Sequence, residues 1–218
     1  RFVVTLKTLS TNHMLELEQR ADQWIQQNTK YIKSADGSGP TLMFAHIGKR
    51  NIISMLGGTT FALVMISILL ILAFRSVKLG LVSMVPNLIP AAMGFGIWAV
   101  TVGEVGLALA VVTSMTLGIV VDDTIHLMSK YLRAHRENTQ DVFTSIRYPF
   151  NTVGTALVIT SVVLVIGFLV LAMSGFKLNS GMGLLTAIII AIALIADFLL
   201  LPALLMKMEE KKNASVSA

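Results

Sequence analysis

The chain has 218 residues, of which 55% are hydrophobic and only 13% are charged, and its net charge is +5. Soluble domains carry about a quarter charged residues, so this composition excludes an ordinary soluble domain and indicates an integral membrane protein. The absence of cysteine excludes disulfides and thiolate metal sites, and basic residues at helix ends explain the positive charge better than nucleic-acid binding does.

The first 50 residues are soluble in character and contain short predicted elements. A strand is predicted at Arg1–Thr8, and a helix with Ser10 or Thr11 as its cap is predicted to run to about Asn28. A turn at Ala35–Pro40 and a second strand at Thr41–Ile47 are predicted to follow. The apolar face of the predicted helix consists of Leu15, Leu17, Ala21, Trp24 and Ile25. Such a βαβ unit is too small to bury a core alone, and the chain starts with Arg1 rather than Met. We therefore expect residues 1–50 to complete a larger extracytoplasmic α+β domain.

Residues 51–208 form the predicted transmembrane domain, an all-α bundle. About 20 apolar residues cross the hydrocarbon core of a bilayer, and five segments are long enough, at about 52–74, 79–102, 105–128, 153–173 and 182–206. Between the third and fourth segments, a polar stretch with scattered apolar positions predicts an amphipathic cytoplasmic helix at about 130–148. Residues 209–218 are predicted to form a cytoplasmic tail.

The connections between these segments alternate in charge. Basic residues follow the first, third and fifth segments, namely Arg75, Lys78, Lys130, Arg133, Arg136, Arg147, Lys207, Lys211 and Lys212. The connections on the opposite side, Thr101–Gly106 and Ser174–Ser180, contain Lys177 as their only basic residue. Since basic connections stay in the cytoplasm, residues 1–50 are predicted to lie outside and the C-terminus inside.

Two adjacent aspartates, Asp122 and Asp123, lie inside the third apolar segment. A carboxylate in the membrane costs at least about 2.5 kcal/mol on insertion scales, and intramembrane acids mark ion or proton pathways. His126 lies four residues after Asp122 and hence on the same helical face, whereas Asp123 points about 100° away. We predict that these three residues form a proton relay. Because no Lys or Arg lies at this depth, at least one aspartate is expected to be protonated at rest, unless another part of the protein supplies a cation.

Three further polar side chains, Asp197, Asn87 and Thr160, are predicted to support this relay. Counted from the basic ends at about 1.5 Å per residue, they lie roughly 14–18 Å into the membrane, and the aspartate pair lies roughly 10–12 Å in. Isolated polar groups are unfavourable in lipid, but a cluster can satisfy itself. The sequence therefore predicts a single polar layer on the cytoplasmic half of the membrane.

Each of these residues also has a structural alternative. Asp197 can tie neighbouring helices together, and Asn87 can partner backbone groups left free by the prolines beside it. Thr160 and the neighbouring Ser161, which lies at the same depth, can bond to their own helix. His126 lies close enough to the cytoplasmic boundary to be an ordinary interfacial histidine. Gly118 is predicted to be a helix-packing residue.

Three motifs carry a resemblance to a known family. They are Val85-Pro-Asn-Leu-Ile-Pro90, Gly118-Ile-Val-Val-Asp-Asp-Thr-Ile-His126 and Ala196-Asp-Phe-Leu-Leu-Leu-Pro202. In these motifs the chain resembles the C-terminal half of resistance–nodulation–division (RND) transporters, and the resemblance covers essentially the whole chain. The branch that it resembles contains the mycobacterial large membrane proteins (MMPL) and the hydrophobe exporters. The motif of that family commonly reads Gly-x-x-x-Asp-Tyr, so Asp122 matches its Asp and Asp123 takes the Tyr position.

This resemblance implies that the five segments correspond to helices eight to twelve of twelve, and residues 1–50 to the end of a periplasmic porter-like domain. It implies a proton-driven exporter of hydrophobic or amphiphilic molecules such as lipids, in the bacterial inner membrane. Such a protein is not an enzyme, and it needs no cofactor besides the proton gradient. The implied partners are membrane lipids, a lipid-like substrate and the N-terminal half of the same transporter, without nucleic acid; a homo-oligomer is left open.

Other functions stay open from sequence alone. A protein-translocation accessory of the same superfamily has similar membrane helices, and a sterol-sensing or receptor-like protein shares the architecture without needing paired acids. An intramembrane aspartyl protease needs two carboxyls, such as those of Asp122 and Asp197, close enough to share a proton, but the expected Gly-x-Gly-Asp pattern is absent. Nothing in the sequence indicates a nucleophile triad, a phosphate loop or a metal cage.

Overall fold

The computed structural model describes residues 3–7, 9–30, 37–103, 107–137 and 142–216. Within these ranges all regular secondary structure is helical, and the α-helices are α1 (Thr11–Asn28), α2 (Pro40–Phe74), α3 (Val77–Thr101), α4 (Leu107–Glu137), α5 (Val142–Pro149), α6 (Thr155–Ala172) and α7 (Lys177–Val216). A π-helical turn, Phe150–Gly154, joins α5 to α6. The chain divides into two compact units, Arg1–Gly57 and Gly58–Ala218.

The prediction of a βαβ unit in residues 1–50 is wrong. Thr41–Ile47, predicted as a strand, lies inside α2, and residues 3–7 form neither strand nor helix. The other residues of the first predicted strand, and the first two of the predicted turn, lie outside the described ranges. Pro40 occupies the first helical position, where its fixed φ favours a helix start and its missing N–H has no helical partner to lose. The short apolar run Leu42–Ala45 fits a helix as well as a strand, and the helix continues through the polar stretch 48–51 into the first membrane segment.

Serine caps define the starts of two helices. In α1, which ends at Asn28 as predicted, the Ser10 hydroxyl accepts a hydrogen bond from the His13 backbone N–H at 3.4 Å. In α3, the Ser76 hydroxyl accepts one from the Leu79 backbone N–H, also at 3.4 Å. Each cap satisfies one of the N–H groups that a helix start leaves free.

The apolar face of α1 is narrower than the sequence pattern predicts. Met14 and Leu15 are buried against Ala45 of α2. Leu17 and Trp24, which belong to the predicted face, are 40% and 63% exposed. The hydrophobic cluster of this unit is therefore small, as expected for a segment of this length.

Five helical segments of the described chain are long and apolar enough to cross a membrane, so the prediction of a five-span membrane protein is confirmed. They are Pro40–Phe74, Val77–Thr101, Val111–Arg136, Thr144–Ala172 and Lys177–Met208. Each overlaps one of the predicted apolar segments. The first and fourth start well before the predicted positions, because these helices continue into polar sequence beyond the apolar run.

The polar stretch at about 130–148 belongs to two helices. Residues 130–137 continue α4 and residues 142–149 form α5, while residues 138–141 lie outside the described ranges. α5 packs against α4 and buries Ser145 and Ile146. Pro149 then lacks the N–H that an α-helical bond needs, and the π-helical turn follows directly.

Within the unit Gly58–Ala218, α7 is the central helix. It packs against α6, α3 and α4, and half of its apolar stretch is buried. The spans of α2 and α6 are largely exposed, as expected for surfaces that face lipid rather than protein. The residues that α7 shares with α3 and α4 therefore form the interior of the bundle.

Close packing around α7 depends on particular glycines. A Cβ on Gly183 would lie 2.6 Å from the Phe168 carbonyl oxygen of α6, and one on Gly94 of α3 would clash with Ile189 of α7. Gly118 on α4, which was predicted to pack against a helix, is exposed and has no described neighbour within 4 Å of where its Cβ would stand. Gly118 thus lies on an open face of the bundle.

Candidate functional site

Polar side chains on α3, α4 and α7 meet between two hydrophobic clusters. The cluster nearer the basic connections consists of Leu70, Phe74, Met84, Leu127, Met128, Tyr131, Ile146, Leu157, Leu201 and Leu205. The cluster nearer the opposite ends consists of Trp98, Leu109, Val112, Leu185 and Ile189. Along their helices, Asn87, Thr124 and Asp197 fall between the members of the two clusters. Apolar packing therefore lies on both sides of this polar layer.

Thr124 on α4 is the centre of the layer. Its buried hydroxyl lies 2.8 Å from Asn87 Oδ1 on α3 and 3.0 Å from Asp197 Oδ1 on α7. Asn87 Nδ2 in turn donates to the Ser83 carbonyl oxygen at 2.7 Å. One hydroxyl thus links three of the membrane-crossing helices.

Asp197 is the most buried acid of the layer, at 2% exposure. Its Oδ2 has no hydrogen-bond partner among the described residues, and the salt bridges of those residues do not include it. Buried polar atoms are nearly always hydrogen-bonded, so an unpartnered carboxyl oxygen requires an explanation. An ionised Asp197 would therefore be a buried charge with no cation beside it among the described salt bridges.

Asp123 faces a different helix. Its side chain is half-buried, and the Ser161 hydroxyl of α6 donates to its Oδ2 at 3.5 Å, the long limit for a hydrogen bond. Ser161 itself is 1% exposed. This acid therefore points into the bundle, toward the side on which α6 packs.

Asp122 and His126 share the outer face of α4. Their side chains are 71% and 59% exposed, and His126 Nε2 lies 3.8 Å from Asp122 Oδ1. Thr124 is two residues from each of them, which is about 200° around the helix. The pair therefore lies on the side of α4 opposite the buried layer.

The outer face of α4 is polar along most of its length. After the exposed Val111, the residues exposed at intervals of three or four are Ser114, Gly118, Asp122, His126, Ser129, Arg133 and Arg136, and we call this set the polar face of α4. At its start, the Ser114 hydroxyl contacts the Thr59 hydroxyl of α2 at 2.7 Å. Lipid offers no hydrogen bonds to such groups, and charged residues in membrane helices almost always face protein or a water-filled cavity. Protein or water is therefore expected to cover this face.

The structure places the predicted supporting residues in two different environments. Asn87 and Asp197 share one partner, Thr124. Thr160 is exposed, and its hydroxyl donates to carbonyl oxygens of its own helix at 3.0 Å. The neighbouring Ser161 is the residue of α6 that contacts an acid. The structural alternative for Thr160, bonding to its own helix, is thus what the structure shows.

Thr124 was missed in the sequence analysis, although a signal for it existed. Thr116, Val120 and Thr124 recur every four residues and therefore lie on one helical face, and all three are buried. A second polar face, on the side of α4 away from Asp122, was thus readable from the spacing.

The chemistry available in this arrangement is proton binding and transfer. Carboxyl groups can hold a proton, an imidazole can exchange one near neutral pH, and a hydroxyl both donates and accepts. Among the residues that the structure describes, no group of three His, Cys, Asp or Glu side chains could hold a metal ion.

Comparison with known proteins supports a relationship over almost the whole chain. A family model described as the MMPL family matches residues 9–213. A protein of Methanocaldococcus jannaschii that is described as a membrane protein is 29% identical over 147 residues, which make up 67% of this chain and 38% of that protein. The chain therefore matches less than half the length of this curated relative.

Proposed function

The chain belongs to the MMPL family, and on that premise we propose that it is the membrane part of a proton-driven secondary exporter of the RND type. The proposed cargo is a hydrophobic or amphiphilic molecule such as a lipid. The proton gradient supplies the energy, without a further cofactor, and the protein acts as a transporter rather than as an enzyme. Asp122 lies on the exposed face of α4 and Asp197 in the interior, an arrangement that favours proton transfer over a protease dyad.

One observation carries this proposal. Asp122 and His126 share an exposed face of a helix that is otherwise apolar enough to cross a membrane. An aspartate facing lipid costs about 2.5–3.5 kcal/mol on insertion scales, and no hydrogen bond to another helix of this unit offsets that cost among the described contacts of Asp122. A carboxyl and an imidazole at this separation suit transient proton binding better than they suit packing.

We propose that a second set of membrane helices, the N-terminal half of the same transporter, covers the polar face of α4. The curated relative is much longer than the stretch that matches this chain, so a second set of helices fits the length of such a protein. Gly118 lies on the same face with open space around it, and a glycine allows a partner helix to approach closely.

The acids have separate roles in this proposal. Asp122 is the proton carrier, and His126 is the group that exchanges protons with it. Asp123 contacts Ser161 instead of the polar face, so its role is separate from that of Asp122. Asp197 and Asn87 have a supporting role in the buried layer, where both contact the Thr124 hydroxyl.

The orientation follows from the basic connections. Arg136 and Lys207 lie near the ends that the positive-inside rule assigns to the cytoplasm, so residues 1–50 are proposed to lie on the periplasmic side of the inner membrane. The proposed partners are membrane lipids and the lipid-like cargo, and nucleic acid is not among them.

Proton uptake by the complete protein in lipid vesicles tests this function. After a pulse of external acid, vesicles that contain the wild-type protein should take up protons faster than empty vesicles, as an internal pH dye would record. A sterol-sensing or receptor-like protein has no reason to pass protons. Uptake equal to that of empty vesicles, with the protein correctly inserted, would overturn the proposal.

A further inference from the structure

The second acid that matters for proton binding lies in the buried layer. We propose that Asp197 binds a proton on Oδ1 in the described arrangement and donates it to the Thr124 hydroxyl, so that its occupancy sets the direction of the hydrogen bonds between α7, α4 and α3. Its use in transport rests on the proposed function above. The presence of the proton follows from the geometry alone.

The neighbours of Asn87 fix the orientation of its side-chain amide. Its amide lies 2.7 Å from the Ser83 carbonyl oxygen, and a carbonyl oxygen can only accept a hydrogen bond. The amide atom that faces Ser83 is therefore the N–H-bearing Nδ2. Consequently the atom that faces Thr124, 2.8 Å away, is Oδ1, which can only accept.

The Thr124 hydroxyl has a single proton to donate. Three acceptors surround it: Asn87 Oδ1 at 2.8 Å, Asp197 Oδ1 at 3.0 Å and, farther away, the Val120 carbonyl oxygen at 3.3 Å. If Asp197 were ionised, at least one of the two nearer oxygens would face the Thr124 oxygen without a proton between them. If Asp197 Oδ1 carries a proton, Thr124 accepts from Asp197 and donates to Asn87, and both short contacts are satisfied.

The surroundings of Asp197 support the protonated form. Its side chain is 2% exposed and its Oδ2 has no partner among the described residues, and an ionised carboxylate buried without a cation costs several kcal/mol. Asp123, on α4, is itself an acid and supplies no positive charge to compensate an ionised Asp197. The elements α3, α5 and α6 also pack against α7, and their buried polar residues are uncharged: Ser83, Asn87, Ser145 and Ser161.

Loss of the proton from Asp197 to water has a defined structural result. The carboxylate then needs a donor, and the Thr124 hydroxyl turns from Asn87 Oδ1 to Asp197 Oδ1. Asn87 lies between Pro86 and Pro90, neither of which can donate a backbone hydrogen bond. α3 therefore loses the hydrogen bond from Thr124 to Asn87 in a region where its backbone hydrogen bonding is already incomplete. In this way the protonation state of Asp197 on α7 is coupled to the position of α3.

Infrared spectroscopy of the complete protein in lipid bilayers tests directly whether Asp197 is protonated, because a protonated carboxyl gives a C=O stretching band at neutral pH. We expect a band in the wild-type protein that is lost in Asp197→Asn and kept in Asp122→Asn. A spectrum of Asp197→Asn that equals the wild-type spectrum in this region would overturn the proposal.

A second pair of variants keeps the test decisive if Asp197→Asn does not fold. Thr124→Val removes the acceptor of the Asp197 proton and should shift the frequency of the band, whereas Thr124→Ser keeps the hydroxyl and should leave it in place. A band at the wild-type frequency in the Thr124→Val protein would contradict the proposed hydrogen bond. Because none of these measurements uses transport, a failure of proton-driven export would leave the band unchanged, and the two proposals can fail separately.

Discussion

The Thr124 hydroxyl of α4 lies 3.0 Å from Asp197 Oδ1 of α7, in the interior of the five-span bundle. The same hydroxyl contacts Asn87 of α3 at 2.8 Å. Since the residues above and below this layer are apolar, the three side chains depend on one another for hydrogen bonds. The stability of the bundle should therefore respond to a change in any one of them.

Replacement of Thr124 by Val should destabilise the protein by about 1–3 kcal/mol, because it leaves the buried Asn87 Oδ1 without a donor and Asp197 without its partner. Val has nearly the same shape, so the loss reports the hydroxyl and not the packing. Thr124→Ser is the matched control and should lose much less. Thermal unfolding in detergent measures both, and equal midpoints for the two variants would contradict the network.

Replacement of Asp197 by Asn should change stability by less than about 1 kcal/mol, because the amide N–H can donate to Thr124 as the carboxylic acid does. Asp197→Leu, which offers no donor, should cost about 1–3 kcal/mol in the same unfolding assay. A loss of equal size in both variants would indicate that the charge of an ionised Asp197, rather than its proton, stabilises the layer.

Gly183→Ala should destabilise the bundle by about 1–3 kcal/mol, because the added methyl group would lie 2.6 Å from the Phe168 carbonyl oxygen and force α6 away from α7. Gly96→Ala on α3 is the control, since Gly96 is exposed and nothing described lies within 4 Å of its added methyl group. This change should stabilise α3 by up to about 1 kcal/mol, through the higher helix propensity of alanine. Unfolding midpoints that rank the two variants in the opposite order would refute the packing account.

Ser161→Ala should lower transport by about twofold to tenfold, because it removes the hydroxyl that donates to Asp123; a hydrogen bond contributes about 0.5–1.5 kcal/mol. Thr160→Ala, one residue away, removes a hydroxyl that bonds only to its own helix among the described contacts. Its transport rate should stay near the wild-type value. A larger effect from Thr160→Ala than from Ser161→Ala would show that α6 contacts the site differently.

The proposed orientation can be tested by labelling, since the chain has no cysteine of its own. A single cysteine at Gly175, in the connection between α6 and α7, should react with a membrane-impermeant maleimide on intact cells. A single cysteine at Arg136, near the end of α4, should react only after the cells are permeabilised. The reverse pattern would place the basic connections outside.

The membrane segments could be predicted from sequence because length and hydropathy alone determine them. The start of the helix Pro40–Phe74 was wrongly predicted as a strand, because the short apolar run there fits both a strand and a helix. In that region the neighbouring sequence, and not the local pattern, decides the structure. The α1 cap at Ser10 was predictable because capping depends on one hydroxyl and the residues next to it.

The site was only partly predictable. Depth counting placed Asp197 and Asn87 at a similar level, because the rise per residue of a helix is fixed. The rotation of α4 about its axis was not fixed by the spacing alone, because the helix has two polar faces, one with Asp122 and His126 and the other with Thr116 and Thr124. The contact of Ser161 with Asp123 emerged only from the structure, and Asp122 proved to lie on the outer face.

The central claim is that Asp122 carries the transported proton, and substrate-driven export by the complete protein with Asp122→Asn tests it most directly. Asparagine keeps the shape of the side chain but cannot release a proton. Asp22→Asn is the matched control, because Asp22 lies on α1, outside the candidate spans. We predict that Asp122→Asn inserts and folds like the wild type but exports at the background rate, while Asp22→Asn exports normally. Export at the wild-type rate by the Asp122→Asn protein would contradict the account.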